Sequence, residues 1–498
     1  MASEQPPEET KNVKSFQPRV LDKTVIALPL LQDLDAEEKE RKKIRGRKPP
    51  LKLYEVIIDL NLDYPGGRAQ ARTTVEARLQ QAQEKTKLSG GALESDSSAQ
   101  YLFARLEGPV IRELVHLDSL KSPPAIYRIW PDFEVSAFIS KSVATIKADA
   151  ARNSFGAMGE GITWAVLDTG ISREHAHFKF EGYDNLDTAV EHRDFTEENT
   201  GPLVDENGHG THVAGILAGM QKAAKGKKLV AIEVHRDEND DVKPMKVELD
   251  QITGVAPKCK LVSLKVLNAK GKGRVRYMLR ALAYVQEMNG NGVRLQIHGI
   301  NMSLGHRFEP EWFACGQSPL CVEIDRLVKS GVVVVVAAGN TGYGFFESST
   351  AAASSVGMDV TINDPGNADL AITVGSTHRY MPHIYGVSYF SSKGPTGDGR
   401  LKPDLVAPGE KIVSCATGQL KIDGARNVEC DYVETSGTSM AAPHVSGAIA
   451  AFLSVRTEFI GRAERVKEIF VSTATDLKRD RYFQGAGLLD LMRAIQSV

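Results

Sequence analysis

The chain has 498 residues, 42% of them hydrophobic and 25% charged, with 61 Lys and Arg against 63 Asp and Glu. That is a globular composition, long enough for roughly two to four domains or one large α/β domain with additions. A formal charge of −2 excludes any general electrostatic preference for nucleic acid or a membrane surface. The longest apolar run, residues 332–338, is short, β-branched and bounded by glycines, so it is expected as a buried strand and not a membrane span. The N-terminal stretch MASEQPPEETKNVKSF lacks the apolar centre of a secretory signal. The five cysteines (Cys259, Cys315, Cys321, Cys415, Cys430) have no zinc-ligand spacing, which points to reduced thiols and a cytoplasmic protein. Spacing alone leaves a Cys315–Cys321 pair open.

Residues 1–50 are polar, proline-punctuated and charged, and are expected as a disordered or extended tail; the basic end of the run at 37–50 reads as a solvated face. Residues 51–140 read as a small α+β domain. Its expected strands are 54–60, 101–106, 125–129 and 134–138. Helices are expected at 67–85 and 109–120, and a Ser/Gly/Ala linker at 87–100. From 141 to 498 the rhythm is α/β. Buried strands are expected at 162–167, 261–266, 299–304, 332–338 and 371–374, with helices at 208–220, 275–288 and 321–330. Alternating strands and helices predict a parallel sheet with helices on both faces, and functional residues near the strand ends.

Three positions fit one reaction. Asp168 ends a strand in TWAVLDTGIS, His209 opens a helix in NGHGTHVAGILAG, and Ser439 opens another in GTSMAAPHVSG. A serine hydroxyl needs a base to become a nucleophile, histidine has a suitable pKa range, and a carboxylate fixes the histidine tautomer. At a helix start the free N–H groups face the atom under attack, and Asn340, after the strand in GVVVVVAAGNTG, adds an amide donor for an oxyanion. With these four blocks in the order Asp, His, Asn, Ser, the chain resembles the subtilisin-like serine peptidases, the subtilases, from about residue 148 to 494.

The resemblance implies a subtilisin-like α/β fold and a serine endopeptidase acting through an acyl-enzyme. Catalysis falls to Asp168, His209 and Ser439, with Asn340 in the oxyanion hole. A protein or peptide substrate is expected to lie as an added strand between Gly271-Lys272-Gly273 and Ser303-Leu304-Gly305. Ala337, Ala338 and Gly339 are expected to wall the pocket for the residue before the scissile bond, with Asn363 or Asp364 near its base. The α+β unit resembles the ferredoxin-like propeptide of the family. This implies an intramolecular inhibitor and folding aid, a self-inhibited zymogen and a processing cut between about residues 138 and 157; part of 67–100 is left for a regulatory partner. No cofactor or metal is expected. The charged insertion at 220–254 contains RDENDDVK, in which calcium is conceivable, but it lacks the spaced oxygen ligands of an ordered site. Additions at 307–320 and 343–357 read as surface loops. His212, His444, His175 and His177 read as packing or loop residues, and Asp404 as a turn former. Two other classes stay open: a scaffold whose cleft is permanently filled, and an esterase or peptide ligase using the same triad.

Overall fold

The computed structural model describes residues 25–44, 50–89, 91–93, 100–131, 141–236, 242–308, 314–346, 354–425 and 428–498. The expected strand at 134–138 and the acidic tip at 237–241 lie outside the described residues, as do parts of the linker and of both additions. The chain forms two compact units, Met1–Ser136 and Ala137–Val498.

The first unit contains α1 (Leu28–Lys43), β1 (Leu53–Leu60), α2 (Gly67–Thr86), β2 (Tyr101–Glu107), α3 (Gly108–Ser119) and β3 (Ile126–Pro131), with a short strand Ala92–Leu93 before β2. Across the sheet the order is Ala92–Leu93, β2, β1, β3, every neighbour antiparallel. That is the split βαβ arrangement of a ferredoxin-like fold. One face of β1 is buried at every second residue, from Tyr54 to Leu60. Ala71, Val75, Leu79 and Ala82 on α2, and Val110, Ile111 and Leu114 on α3, supply helical stripes for the same core. The expectation of a disordered or extended tail fails for residues 28–43. Pro29 stands in the first turn of α1, where no N–H is needed, and Leu30, Leu31 and Leu34 are buried in this core.

In the second unit a seven-stranded parallel sheet runs through the middle. Its main strands are β4 (Thr163–Asp168), β5 (Lys260–Lys265), β6 (Gly299–Met302), β7 (Val333–Ala337), β8 (Ile372–His378) and β9 (Leu405–Glu410). The spatial order is β9, β8, β7, β6, β4, β5 and then the two-residue edge strand Arg193–Asp194. Strands β6, β7 and β8 are buried at every residue, as a sheet covered on both faces requires. The flanking helices are α4 (His209–Leu217), α5 (Val275–Met288), α6 (Pro319–Lys329), α7 (Thr438–Val455) and α8 (Ala463–Ser472). Helix α7 crosses β6 to β9 and packs against α4. Among the described residues it is the one helix long and apolar enough to cross a membrane, contrary to the sequence reading, but 83% of it is buried inside this unit.

The insertion at 220–254 is folded. Leu229–Arg236 and Val242–Leu249 pair as an antiparallel hairpin, and the first of them pairs in parallel with Tyr432–Thr435. A buried bidentate pair anchors the hairpin, with Arg379 Nη1 and Nη2 donating to Glu233 Oε1 and Oε2 at 2.8 and 3.0 Å. The addition at 343–357 is also a hairpin, Tyr343–Phe346 against Ser354–Gly357. Asp404 does more than form a turn. It accepts from Lys402 Nζ at 2.7 Å, Lys467 Nζ at 3.0 Å and Thr373 N at 2.7 Å. All five cysteines are free thiols.

Several histidines are held inside as neutral rings. His177 is buried and not a loop residue; its Nε2 faces the carbonyls of Gly215 and Ala218 at 3.2 Å. His212 Nε2 meets Val433 O, and His444 Nδ1 meets Met440 O. Burial drives His177 and His212 down to about 3 and His444 down to about 4. The unfolded chain takes up these three protons near pH 6.5, whereas the folded chain refuses them until far lower pH. Stability is therefore complete above about pH 7 and falls as pH drops through about 6.5 towards 4, by up to about 4 kcal/mol per pH unit. The urea midpoint for loss of near-ultraviolet circular dichroism is expected to fall steeply between pH 7.5 and 5; an unchanged midpoint would refute this account.

Candidate active site

Asp168 is the last residue of β4 and is 1% exposed. Its Oδ1 accepts from Thr169 N at 2.8 Å and from His209 Nδ1 at 2.7 Å. Because a carboxylate only accepts, Nδ1 carries the proton, and the lone pair of the neutral ring is on Nε2. Asp168 Oδ2 is buried and accepts nothing among the described residues. The His209 side chain remains 28% exposed. Burial alone would depress its pKa; the charge and hydrogen bond of Asp168, with the charge of Asp205, outweigh burial and raise it above 6.5.

A polar cradle holds the start of α4. Gly208 adopts φ 96°, and a Cβ there would stand 2.2 Å from Thr417 O, so both conformation and space call for glycine. The His209 N–H goes to Asn207 Oδ1, the Gly210 N–H to Thr169 Oγ1 and the Thr211 N–H to Asp205 Oδ2. The opening N–H groups of the helix are thereby satisfied by side chains.

Ser439 lies in the first turn of α7, where N–H groups have no intrahelical acceptor. Four residues on, Pro443 sits inside the helix and has no N–H, which frees the Ser439 carbonyl. Ser303 Oγ donates to that carbonyl at 2.7 Å, and Ser439 Oγ donates back to Ser303 O at 3.0 Å. Asn301 Nδ2 in turn donates to Ser303 Oγ, and Asn301 Oδ1 accepts from Ser446 Oγ, both at 2.9 Å. In this conformation no hydrogen bond joins Ser439 to His209. Asn340 follows β7 and is fixed through Oδ1, which accepts from Thr438 N at 2.9 Å and Thr438 Oγ1 at 3.0 Å. Its Nδ2 is thereby turned over the loop before Ser439; a Cβ on Gly437 would be 3.3 Å from it.

A cleft of about 870 Å³ opens beside His209. Gly271, Lys272, Gly273, Ser303, Leu304 and Gly305 line it. Leu267, Val275, Met278 and Leu320 give it apolar walls. Ala337, Ala338 and Gly339 do not line this cleft. Ala337 and Ala338 are buried, and Ala338 is paired through N–H to Val374 and through its carbonyl to Asn363. Gly339 donates to Thr438 Oγ1 at 3.1 Å, beside Asn340, and a Cβ on it would be 2.6 Å from Asn363 Nδ2. Asp364 lines the cleft, while Asn363 stands by Gly339.

A model described as the subtilase family, Peptidase_S8, matches residues 159–488. The chain belongs to the subtilase family of serine peptidases. It is 29% identical to the serine protease AprX of Bacillus subtilis over 382 residues, 74% of each chain. To subtilisin E of the same species it is 28% identical over 380 residues, 76% of this chain and 77% of the relative. It is 32% identical to pyrolysin of Pyrococcus furiosus over 330 residues, but these cover only 21% of that longer protein. The supporting residues of this subtilase's site that sequence reasoning passed over are Thr169, Asp205, Thr211, Asn301, Thr438 and Ser446. Their one sequence signal is the density of short polar side chains beside the blocks around Asp168, His209, Asn340 and Ser439.

Pro443 and Ser303 form a testable pair. Ser303→Ala leaves the half-buried Ser439 carbonyl without its side-chain donor and is expected to cost about 1–3 kcal/mol. Pro443→Ala restores an N–H four residues after Ser439, so the double variant should recover part of that loss in urea unfolding. Strict additivity of the two changes would refute the coupling.

Proposed function

We propose that this subtilase is an endopeptidase in which Ser439 attacks the scissile carbonyl and passes its proton to His209 Nε2. Asp168 holds the opposite ring nitrogen and steadies the imidazolium. The Ser439 N–H and Asn340 Nδ2 receive the negative oxygen of the tetrahedral intermediate. His209 then hands the proton to the leaving amine, and water hydrolyses the acyl ester by the same steps in reverse. The 2.7 Å contact between His209 Nδ1 and Asp168 Oδ1, beside a cleft lined by His209 and Ser303, carries this reading. It requires the Ser439 hydroxyl to leave Ser303 O by rotation about one side-chain bond, a small movement.

The substrate is a peptide laid along Gly271–Gly273 and Ser303–Gly305, with the apolar part of the cleft taking one of its side chains. The first unit serves as an inhibitor and folding aid, a role supported by its ferredoxin-like strand order. Processing falls before Val143, because Val143, Ile146, Ala148, Ala151 and Ala157 are buried in the core of the second unit and a later cut would strip it.

A fluorophosphonate probe is expected to label the processed chain at Ser439, and Ser439→Ala to remain folded, unlabelled and uncut by mass spectrometry. Labelling of that variant within residues 437–447 would end the proposal. Asn340→Ala should lower kcat by about 10²–10³ with little change in KM. Activity requires a neutral Nε2, so kcat/KM should fall as pH drops through a limb above the ordinary value of 6.5. Asp168→Asn should move that limb to lower pH as well as slow the reaction.

A further inference from the structure

Asp205 sits four residues before His209 and is 5% exposed. Four hydrogen bonds converge on its carboxylate. Oδ1 accepts from Gly208 N and Thr169 Oγ1, both at 2.8 Å. Oδ2 accepts from Thr211 N at 2.8 Å and Thr211 Oγ1 at 2.6 Å. These partners are the residue after Asp168, the turn before His209 and the first turn of α4. One side chain thus ties together the segments that bring the His209 ring to Asp168.

Every donor to Asp205 is neutral, and no lysine or arginine forms an ion pair with it among the described residues. The four donors are of the kind a carboxylate accepts, and none of them brings a countercharge. No countercharge lies against this carboxylate among the described residues, and its field acts on His209, four residues along the chain. The other titratable groups around this ring are Asp168 on β4, His212 one turn along α4, and Lys272, His306 and Asp364 in the cleft. Asp168 pulls the ring towards the charged form, as does the field of Asp205, and both act against burial.

We infer that Asp205 is a second carboxylate in service of His209, a positioning residue that fixes the ring against Asp168 and stabilises the imidazolium through space. This rests on the peptidase reading for its effect on turnover, but not for its effect on the ring. An amide in place of the carboxylate keeps the volume, removes the charge and turns a donor towards Thr211.

The decisive measurement is the titration of the His209 ring by NMR, in the full chain carrying Ser439→Ala to prevent cleavage, with and without Asp205→Asn. Loss of the charge should move the His209 titration to lower pH by about one pH unit, equivalent to about tenfold in imidazolium stability. With Ser439 intact, kcat should fall about tenfold, KM should stay within about twofold, and the acid limb of the rate profile should move in the same direction as the ring. Thr169→Val withdraws one donor and leaves the charge, so it should slow turnover without moving the titration. If Asp205→Asn does not fold, Asp205→Ser gives the same reading. An unmoved titration in a folded Asp205 variant, or an equal movement in Thr169→Val, overturns the inference. A chain that neither labels nor cleaves, yet shows the shift, overturns the peptidase reading and leaves this one standing.

Discussion

A missing N–H governs the architecture of this site. Proline 443 cannot close the helical bond onto the Ser439 carbonyl, and the hydroxyl of Ser303 takes that place from the end of β6. The exchange of bonds between Ser303 and Ser439 runs both ways, so the start of α7 is tied to the sheet at the edge of the cleft. An uninterrupted helix would satisfy its own carbonyl and need no such tie. The parallel sheet supplies the rest. Asp168, Ser303 and Asn340 come from the ends of neighbouring strands β4, β6 and β7, so strand register, not loop conformation, sets their spacing.

Electrostatically, the second unit treats its histidines in two ways. His177, His212 and His444 are buried against carbonyls or hydroxyls and kept neutral. His209 alone among these four is placed against a carboxylate, and its pKa moves the other way. His209 and His212 share one helix, three residues apart. The contrast between them therefore comes from what each ring faces, not from the element that carries it.

Much of this was legible in the chain. Buried strands that read as unbroken β-branched runs, such as 332–338, and the glycine-bounded blocks around His209 and Ser439 declare themselves through pattern, because burial on both faces leaves no room for polar alternation. The strands Leu229–Arg236 and Val242–Leu249 were missed because one hairpin face is solvent-exposed, so charges interrupt the apolar pattern. Strand β9 hides behind Pro403 and Pro408, which read as loop. Helix α1 is hard to read because, among the described side chains, Leu30, Leu31 and Leu34 face its core in a stretch otherwise dominated by charge. Ala338 pairs through its backbone with Val374 and Asn363, a contact that the apolar run at 332–338 does not disclose. For Asp205, Thr169 and Thr438 the only signal is a local density of short polar side chains, which does not say what each one holds. A short polar residue in a turn looks the same in a sequence whether it caps a helix or orients a catalytic side chain.

Helix α7 has no dry exterior of its own; it is apolar on almost every side and owes its solubility to the strands that cover it. Heating that parts the helix from the sheet would expose its apolar surface to water. Clumping of those surfaces would outrun their return to the sheet. The lifetime of this protein at high temperature is then set by how often that cover lifts, and apparent melting points will drift with the speed of the scan.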